Sequence, residues 1–166
     1  MKKKFLLLSV LALLCGGFTS CEEDEKEPAQ NGNVVENPVV KSALGTLTVQ
    51  FMGQEIVTEN VASEFFTEKD GTMTLSLIEM KFVPQMPISI TPVVSGISQQ
   101  VSEADQHVTL LSGDGIVPTF GGNPKEDYVV TDFKGTLASG DAEELSFSCK
   151  FGNYPTTYKA KVTSVR

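Results

Sequence analysis

Residues able to do chemistry are few in this chain, and their spacing is uninformative for most reactions. The single histidine, His107, is the one imidazole able to serve as the base of a nucleophilic triad. A serine with Asp105 or Asp114 would have to complete it by geometry, and no strand-turn-helix nucleophile elbow surrounds any serine. A zinc centre draws on several His and Cys ligands, and His107 and Cys149 supply one of each. Glu143-Glu144 and Glu126-Asp127 are adjacent carboxylates of the type used in glycoside hydrolysis. Neighbours in a strand point to opposite faces, so these pairs read as solvated turn edges. Ser112-Gly113-Asp114-Gly115 and Gly121-Gly122-Asn123 are glycine-rich but lack the Lys-Ser/Thr of a phosphate loop. Asp114 and Asp127 lack EF-hand spacing. The expectation is no catalytic set, no metal and no cofactor.

Two cysteines carry more meaning. Cys149 alternates with Leu145, Phe147 and Phe151, which makes it a small buried hydrophobe rather than a reactive thiol. Cys21 follows Lys2-Lys3-Lys4, an apolar run from Phe5 to Leu14, and Gly16-Gly17-Phe18-Thr19-Ser20. That run is too short for the ~20 residues of a membrane span and fits a removable leader. The pattern resembles a bacterial lipoprotein signal peptide with its lipobox. The resemblance implies cleavage before Cys21 and acylation of its sulfur and amine. Glu22-Glu23-Asp24-Glu25 directly after it is similar to the export tag of surface-exposed lipoproteins of the Bacteroidetes lineage. The implied location is the outer membrane, lipid-anchored and facing outward, with a periplasm-facing anchor as the alternative.

The formal charge is −8, and loss of Lys2, Lys3 and Lys4 makes it three units more negative. Without a basic stripe to neutralise phosphates, nucleic acid is excluded as a partner. With Cys15 in the leader and Cys21 acylated, Cys149 stands alone and no intramolecular disulfide forms. Residues 1–20 read as the leader. Residues 21–42 read as an acidic tether with Pro28, Asn31-Gly32-Asn33 and Asn37-Pro38, reaching ~25 Å as a flexible coil. Residues 43–166 are one domain's worth of chain.

From Ala43 the hydrophobic period is two. Leu47, Val49 and Phe51 alternate with Thr46, Thr48 and Gln50. Met73, Leu75 and Leu77 alternate with Thr72, Thr74 and Ser76. Leu145, Phe147, Cys149 and Phe151 do the same, as do Tyr158, Ala160 and Val162. Such runs are half-buried strands of an antiparallel sheet. Turn signals at Met52-Gly53, Asp70-Gly71, Gly121-Gly122, Ser139-Gly140 and Gly152-Asn153 separate about eight of them, at roughly 43–52, 54–60, 72–82, 87–97, 107–112, 128–138, 144–151 and 156–165. The apolar parity reverses between Leu77 and Ile78, as at a β-bulge. Pro92 marks an irregular stretch in the fourth strand. Ser63 to Asp70 and Ser102 to Gln106 read as short helical turns. The fold expected is all-β, a single antiparallel meander barrel, with an immunoglobulin-like sandwich as the alternative.

The domain resembles the calycin-like, lipocalin-like β-barrels of Bacteroidetes lipoproteins. The resemblance rests on Leu44-Gly45-Thr46-Leu47-Thr48-Val49, Asp70-Gly71-Thr72-Met73-Thr74-Leu75-Ser76-Leu77, Met80-Lys81-Phe82, Met86-Pro87-Ile88, Lys134-Gly135-Thr136-Leu137 and Glu144-Leu145-Ser146-Phe147. It departs from the family pattern at Ser89-Ile90-Thr91 and in the final strand. It implies a fold and no settled activity. An eight-stranded barrel is wide enough either to be filled by side chains or to hold one small ligand. Ten phenylalanines are enough to fill it. The expected function is a non-catalytic binding module for a small apolar ligand, peptide or glycan. Phe51, Leu75, Phe147, Tyr154 and Tyr158 are the candidate contacts inside the barrel or at its rim, Tyr154 on account of its turn. The alternative is an accessory lipoprotein with a filled barrel that docks another envelope protein.

Overall fold

The computed structural model describes residues 38–166. The expected leader, the expected lipidation site Cys21 and the expected tether up to residue 37 lie outside the described residues. Ten strands follow in order: β1 (Lys41–Phe51), β2 (Gln54–Thr67), β3 (Met73–Ile78), β4 (Pro92–Val101), β5 (Val108–Gly113), β6 (Thr119–Phe120), β7 (Asn123–Pro124), β8 (Val130–Ala138), β9 (Glu144–Phe151) and β10 (Tyr154–Val165), with one 3₁₀ turn at Glu126–Tyr128.

Every pairing is antiparallel. Eight strands form a ring in the order β3-β2-β1-β10-β9-β8-β5-β4, and β4 pairs back with β3. The expected meander barrel is therefore the fold, closed and consistent with a calycin-like architecture, and the sandwich alternative falls. The short β6–β7 hairpin hangs on β4 through Pro92↔Phe120 and Val93↔Thr119. Closure depends on β1 and β10 meeting from Lys41↔Val165 to Val49↔Thr156. Val40 and Arg166 exchange both backbone hydrogen bonds at 2.8 Å, which seals this seam. The Lys41 ammonium pairs with Glu143 of the β8–β9 turn at the same rim.

The alternating residues face inward as their period requires. Leu47, Val49, Met73, Leu75, Leu77, Leu145, Phe147, Cys149, Phe151, Tyr158 and Ala160 are all within 5% of full burial. Fully burying one such aliphatic or aromatic side chain stabilises the fold by about 1.5–3 kcal/mol. Gly45 is required by this closure. A Cβ there would stand 2.1 Å from the Lys159 carbonyl oxygen and 2.5 Å from Ala160, so only glycine lets β1 lie this close to β10.

Several sequence expectations are corrected. Ser63 to Thr67 is not a helical turn but the second half of β2, and only Glu68–Gly71 turns. Ser102 to Gln106 is a bend and turn, without helix. The third strand stops at Ile78 instead of 82. The parity reversal is the expected bulge: from Ser76↔Val93 to Met80↔Ile90, four steps of the chain face three, and left-handed Glu79 (φ 51°) lies among the four. The fourth strand spans 92–101, not 87–97. Pro92 is its first residue, where a missing N–H costs least, and the irregular stretch falls at Ser95–Gly96. There two steps of β3 (Met73 to Leu75) face three of β4 (Val94 to Ile97), with Gly96 at φ 84°. Matching bulges at Glu59–Asn60 and Asp132–Phe133 carry left-handed Asn60 and Asp132. Bulges bend and twist strands, and a ring of this size needs that curvature.

Candidate functional site

Chain direction sorts the loops into two rims. The entry rim holds Lys41, the β2–β3 turn, the β4–β5 turn, the β8–β9 turn and Val165. The far rim holds the β1–β2 turn, the β3–β4 connection at 79–91, the β5–β8 excursion at 114–129 and the β9–β10 turn.

The interior between the rims is packed. Tyr158 projects inward from β10, and its hydroxyl donates to the Val61 carbonyl of β2 at 2.8 Å while lying 3.2 Å from Ser63 Oγ. Phe147 lies against it (centroids 5.4 Å) and stacks on Phe133 (4.9 Å). Gly135, whose Cβ would come within 2.7 Å of the Phe147 Cβ, leaves room for that stack. Leu75 is 1% exposed on the opposite wall. Three of the five candidate contacts, Leu75, Phe147 and Tyr158, are thus buried core side chains. Burial raises the Tyr158 phenol above its ordinary value, with the Ser63 hydrogen bond opposing the shift.

The other two candidates, Phe51 and Tyr154, meet at the far rim. Their rings stack at 5.9 Å, and Tyr154 stacks on Phe82 at 4.8 Å. Phe82 is the residue that sequence reasoning missed here. It sits in the β3–β4 connection, whose base is tied by reciprocal Met80–Ile90 backbone bonds of 2.8 and 2.9 Å. From there it turns inward, is 1% exposed, and also contacts Tyr128 (5.3 Å) and Phe151 (5.4 Å). Offset-stacked and tilted aromatic pairs add about 0.5–1.5 kcal/mol each beyond their burial. The far mouth is therefore closed by an aromatic plug. Its outer surface carries exposed Met52, Ile88 and Val117. The apolar parity of Met80 and Phe82 was visible in the sequence; their burial at the far rim follows from the bulge at left-handed Glu79, which shifts the inward positions from odd to even.

The polar candidates do not converge. His107 is exposed in the β4–β5 turn, where its N–H bonds Asp105 at 2.9 Å and its carbonyl accepts from Ser139. Asp114 sits at the far rim and accepts from the Asp132 N–H at 3.1 Å, stabilising the β8 bulge. Lys150 reaches Asp132 at 2.8 Å, which lowers the Asp132 carboxyl and raises the Lys150 ammonium. Glu143 is engaged with Lys41, while Glu126 and Asp127 are exposed in the 3₁₀ turn. Cys149 is buried, and desolvation pushes its thiol up to about 12. Among the described residues, no group of three or more His, Cys, Asp or Glu comes together to hold a metal ion. A depression between Pro38-Val39, the β2–β3 turn and the Ser95–Gly96 bulge opens on the outside of the barrel wall.

Comparison with protein-family models, with curated proteins and with solved structures found no match.

Proposed function

We propose that this chain is a lipid-anchored outer-membrane protein, facing the cell surface, whose barrel is a non-catalytic accessory module that docks another envelope protein through its outside. The filled interior carries this reading. Tyr158 reaches inside the wall past β1 to Val61 and Ser63, Phe147 lies against it, and Phe82 is buried at the far mouth, so the protein's own rings take the space a small ligand would need. The address rests on the basic-apolar-small pattern ending at Cys21 and on the acidic residues behind it. The start of β1 and the end of β10 both lie at the entry rim, so the chain enters the barrel there and the far rim is the opposite end.

One arrangement supports a second reading, a peptide or glycan held at the far rim. Half-buried Tyr154 stacks between Phe51 and Phe82, and stacked rings of this kind suit the apolar face of a sugar.

Native mass spectrometry of the full chain purified from its own envelope tests both. The docking reading expects an acylated chain beginning at Cys21, free of retained small molecules. A stoichiometric bound ligand would sink it in favour of the second reading. Cys21→Ala should release the protein from membranes, and a mutant that stays anchored refutes the lipid address.

A further inference from the structure

Among the described residues, the longest stretch of barrel strand with a neighbour on one side only lies on β2, and a shorter one lies at Ser98–Val101 of β4. β2 pairs with β1 along its whole length, from Phe51↔Gln54 to Lys41↔Phe65. Its other side is covered only from Ala62↔Ile78 onward, because past Ile78 the chain pairs with the β4 side alone, through Met80↔Ile90. Gln54 to Asn60 therefore has a single neighbour. Among the described residues, no backbone hydrogen bond reaches this stretch from the 79–91 connection. It is also open to solvent. Gln54, Glu55, Val57, Thr58, Glu59 and Asn60 are exposed, and Ile56 is half-buried. An uncovered edge presents alternate N–H and C=O groups that accept an added strand.

We infer that this edge is the docking surface, and that it takes an extended, basic segment of a partner protein as an added antiparallel strand. The inference deepens the docking reading above and rests on it. The pairing Thr48↔Val57 and Gln50↔Glu55 puts Glu55 and Val57 on the outer face, with the Gln50 amide donating to Glu55 at 2.7 Å. Glu55 and Glu59 stand on the edge itself, and Glu79 and Glu64 stand beside its end. Lysine or arginine at alternate positions of the incoming strand would face these carboxylates, with an alkyl stem lying over Val57 between them. A second copy of this chain is the poorer occupant. Antiparallel self-pairing centred on Val57 would set Glu55 of each copy opposite Glu59 of the other, and directly opposed like charges are destabilising. The same acids that keep identical edges apart select a basic strand.

The test uses the full chain in detergent and a short acetylated peptide alternating lysine with valine. Amide hydrogen exchange should slow at alternate positions of Gln54–Asn60 on peptide addition and be unchanged elsewhere. A glutamate-valine peptide, and a lysine-valine peptide N-methylated at alternate amides, should each bind about tenfold more weakly. The double variant E55K/E59K should reverse the preference toward the glutamate peptide. Protection elsewhere on the barrel, indifference to N-methylation, absence of saturable binding, or dimerisation through this edge would overturn the inference. None of those outcomes touches membrane release by Cys21→Ala or the absence of a retained ligand, so the broader reading fails or stands separately.

Discussion

The Tyr158 hydroxyl donates to the Val61 carbonyl at 2.8 Å, joining β10 to β2 through the barrel's interior across the intervening β1. The residue pair lies just past the Glu59–Asn60 bulge, and Ser63 Oγ at 3.2 Å completes a small buried polar cluster. Buried polar groups are tolerated when they find partners, and among the described residues no buried side-chain nitrogen or oxygen lacks one.

Tyr158→Phe keeps the ring and strands the Val61 carbonyl and the Ser63 hydroxyl. The expected cost is about 1–2 kcal/mol, read as a lower urea midpoint with an unchanged slope. A variant as stable as the parent would mean that the hydroxyl contributes nothing to closing the barrel.

Gly45→Ala should be far worse. Its Cβ must displace the Lys159 carbonyl or the Ala160 backbone, which prises the seam strands apart, and a loss of more than about 3 kcal/mol is expected. Gly140→Ala is the control. Nothing stands within 4 Å of a Cβ there, so circular dichroism melts of that variant should match the parent.

Alkaline pH should weaken the fold. Cys149 moves from an ordinary 9.0 up to about 12 through burial, and Tyr158 is also raised. A folded-state pKa above the unfolded value means the native state holds its proton longer. The stability this gives is complete below the unfolded pKa and is lost as pH climbs through the folded one. Between about pH 9 and 12 the Cys149 thiol subtracts ~1.4 kcal/mol per pH unit, and Tyr158 acts in the same direction. Cys149→Ala should flatten the decline measured by urea unfolding across this window, and an unaltered slope would exclude the thiol as its source.

Met52 occupies the first position of a two-residue hairpin turn at φ 51°, followed by Gly53 at 77°, and is 88% exposed. A left-handed conformation costs an ordinary side chain roughly 1–2 kcal/mol, and Asn tolerates it better. Met52→Asn should therefore raise stability by about 0.5 kcal/mol, measured as a higher urea midpoint.

The barrel was legible in the sequence wherever a strand has one dry and one wet face. Leu47-Val49, Met73-Leu75-Leu77, Leu145 to Phe151 and Tyr158-Ala160 announce their burial by parity alone. β2 was half hidden for two physical reasons. Gln54–Asn60 has solvent on both faces, so no apolar alternation marks it as a strand that continues. Beyond Val61, the inward position after it is Ser63, the partner of Tyr158, and Phe65-Phe66 are neighbours on opposite faces, which together mimic a helical turn. The left-handed residues Asn60, Glu79 and Asp132 carry side chains, so glycine did not flag them. The candidate contacts were chosen by parity and turn position alone, and alternation does not tell a lining side chain from a filling one: Leu75, Phe147 and Tyr158 are buried in the core. The aromatic plug needed the bulge at left-handed Glu79, which turns Met80 and Phe82 inward beyond the end of β3.

The seam has a kinetic corollary. β1 begins at Lys41 and its partner β10 ends at Val165, so the ring cannot shut until almost the whole polypeptide is available. Contacts this distant along the chain make folding slow, in the range of milliseconds to seconds. A nascent chain lacking its final dozen residues would be an open, curling sheet with two raw margins. Removing the last strand should therefore yield aggregation instead of a smaller barrel.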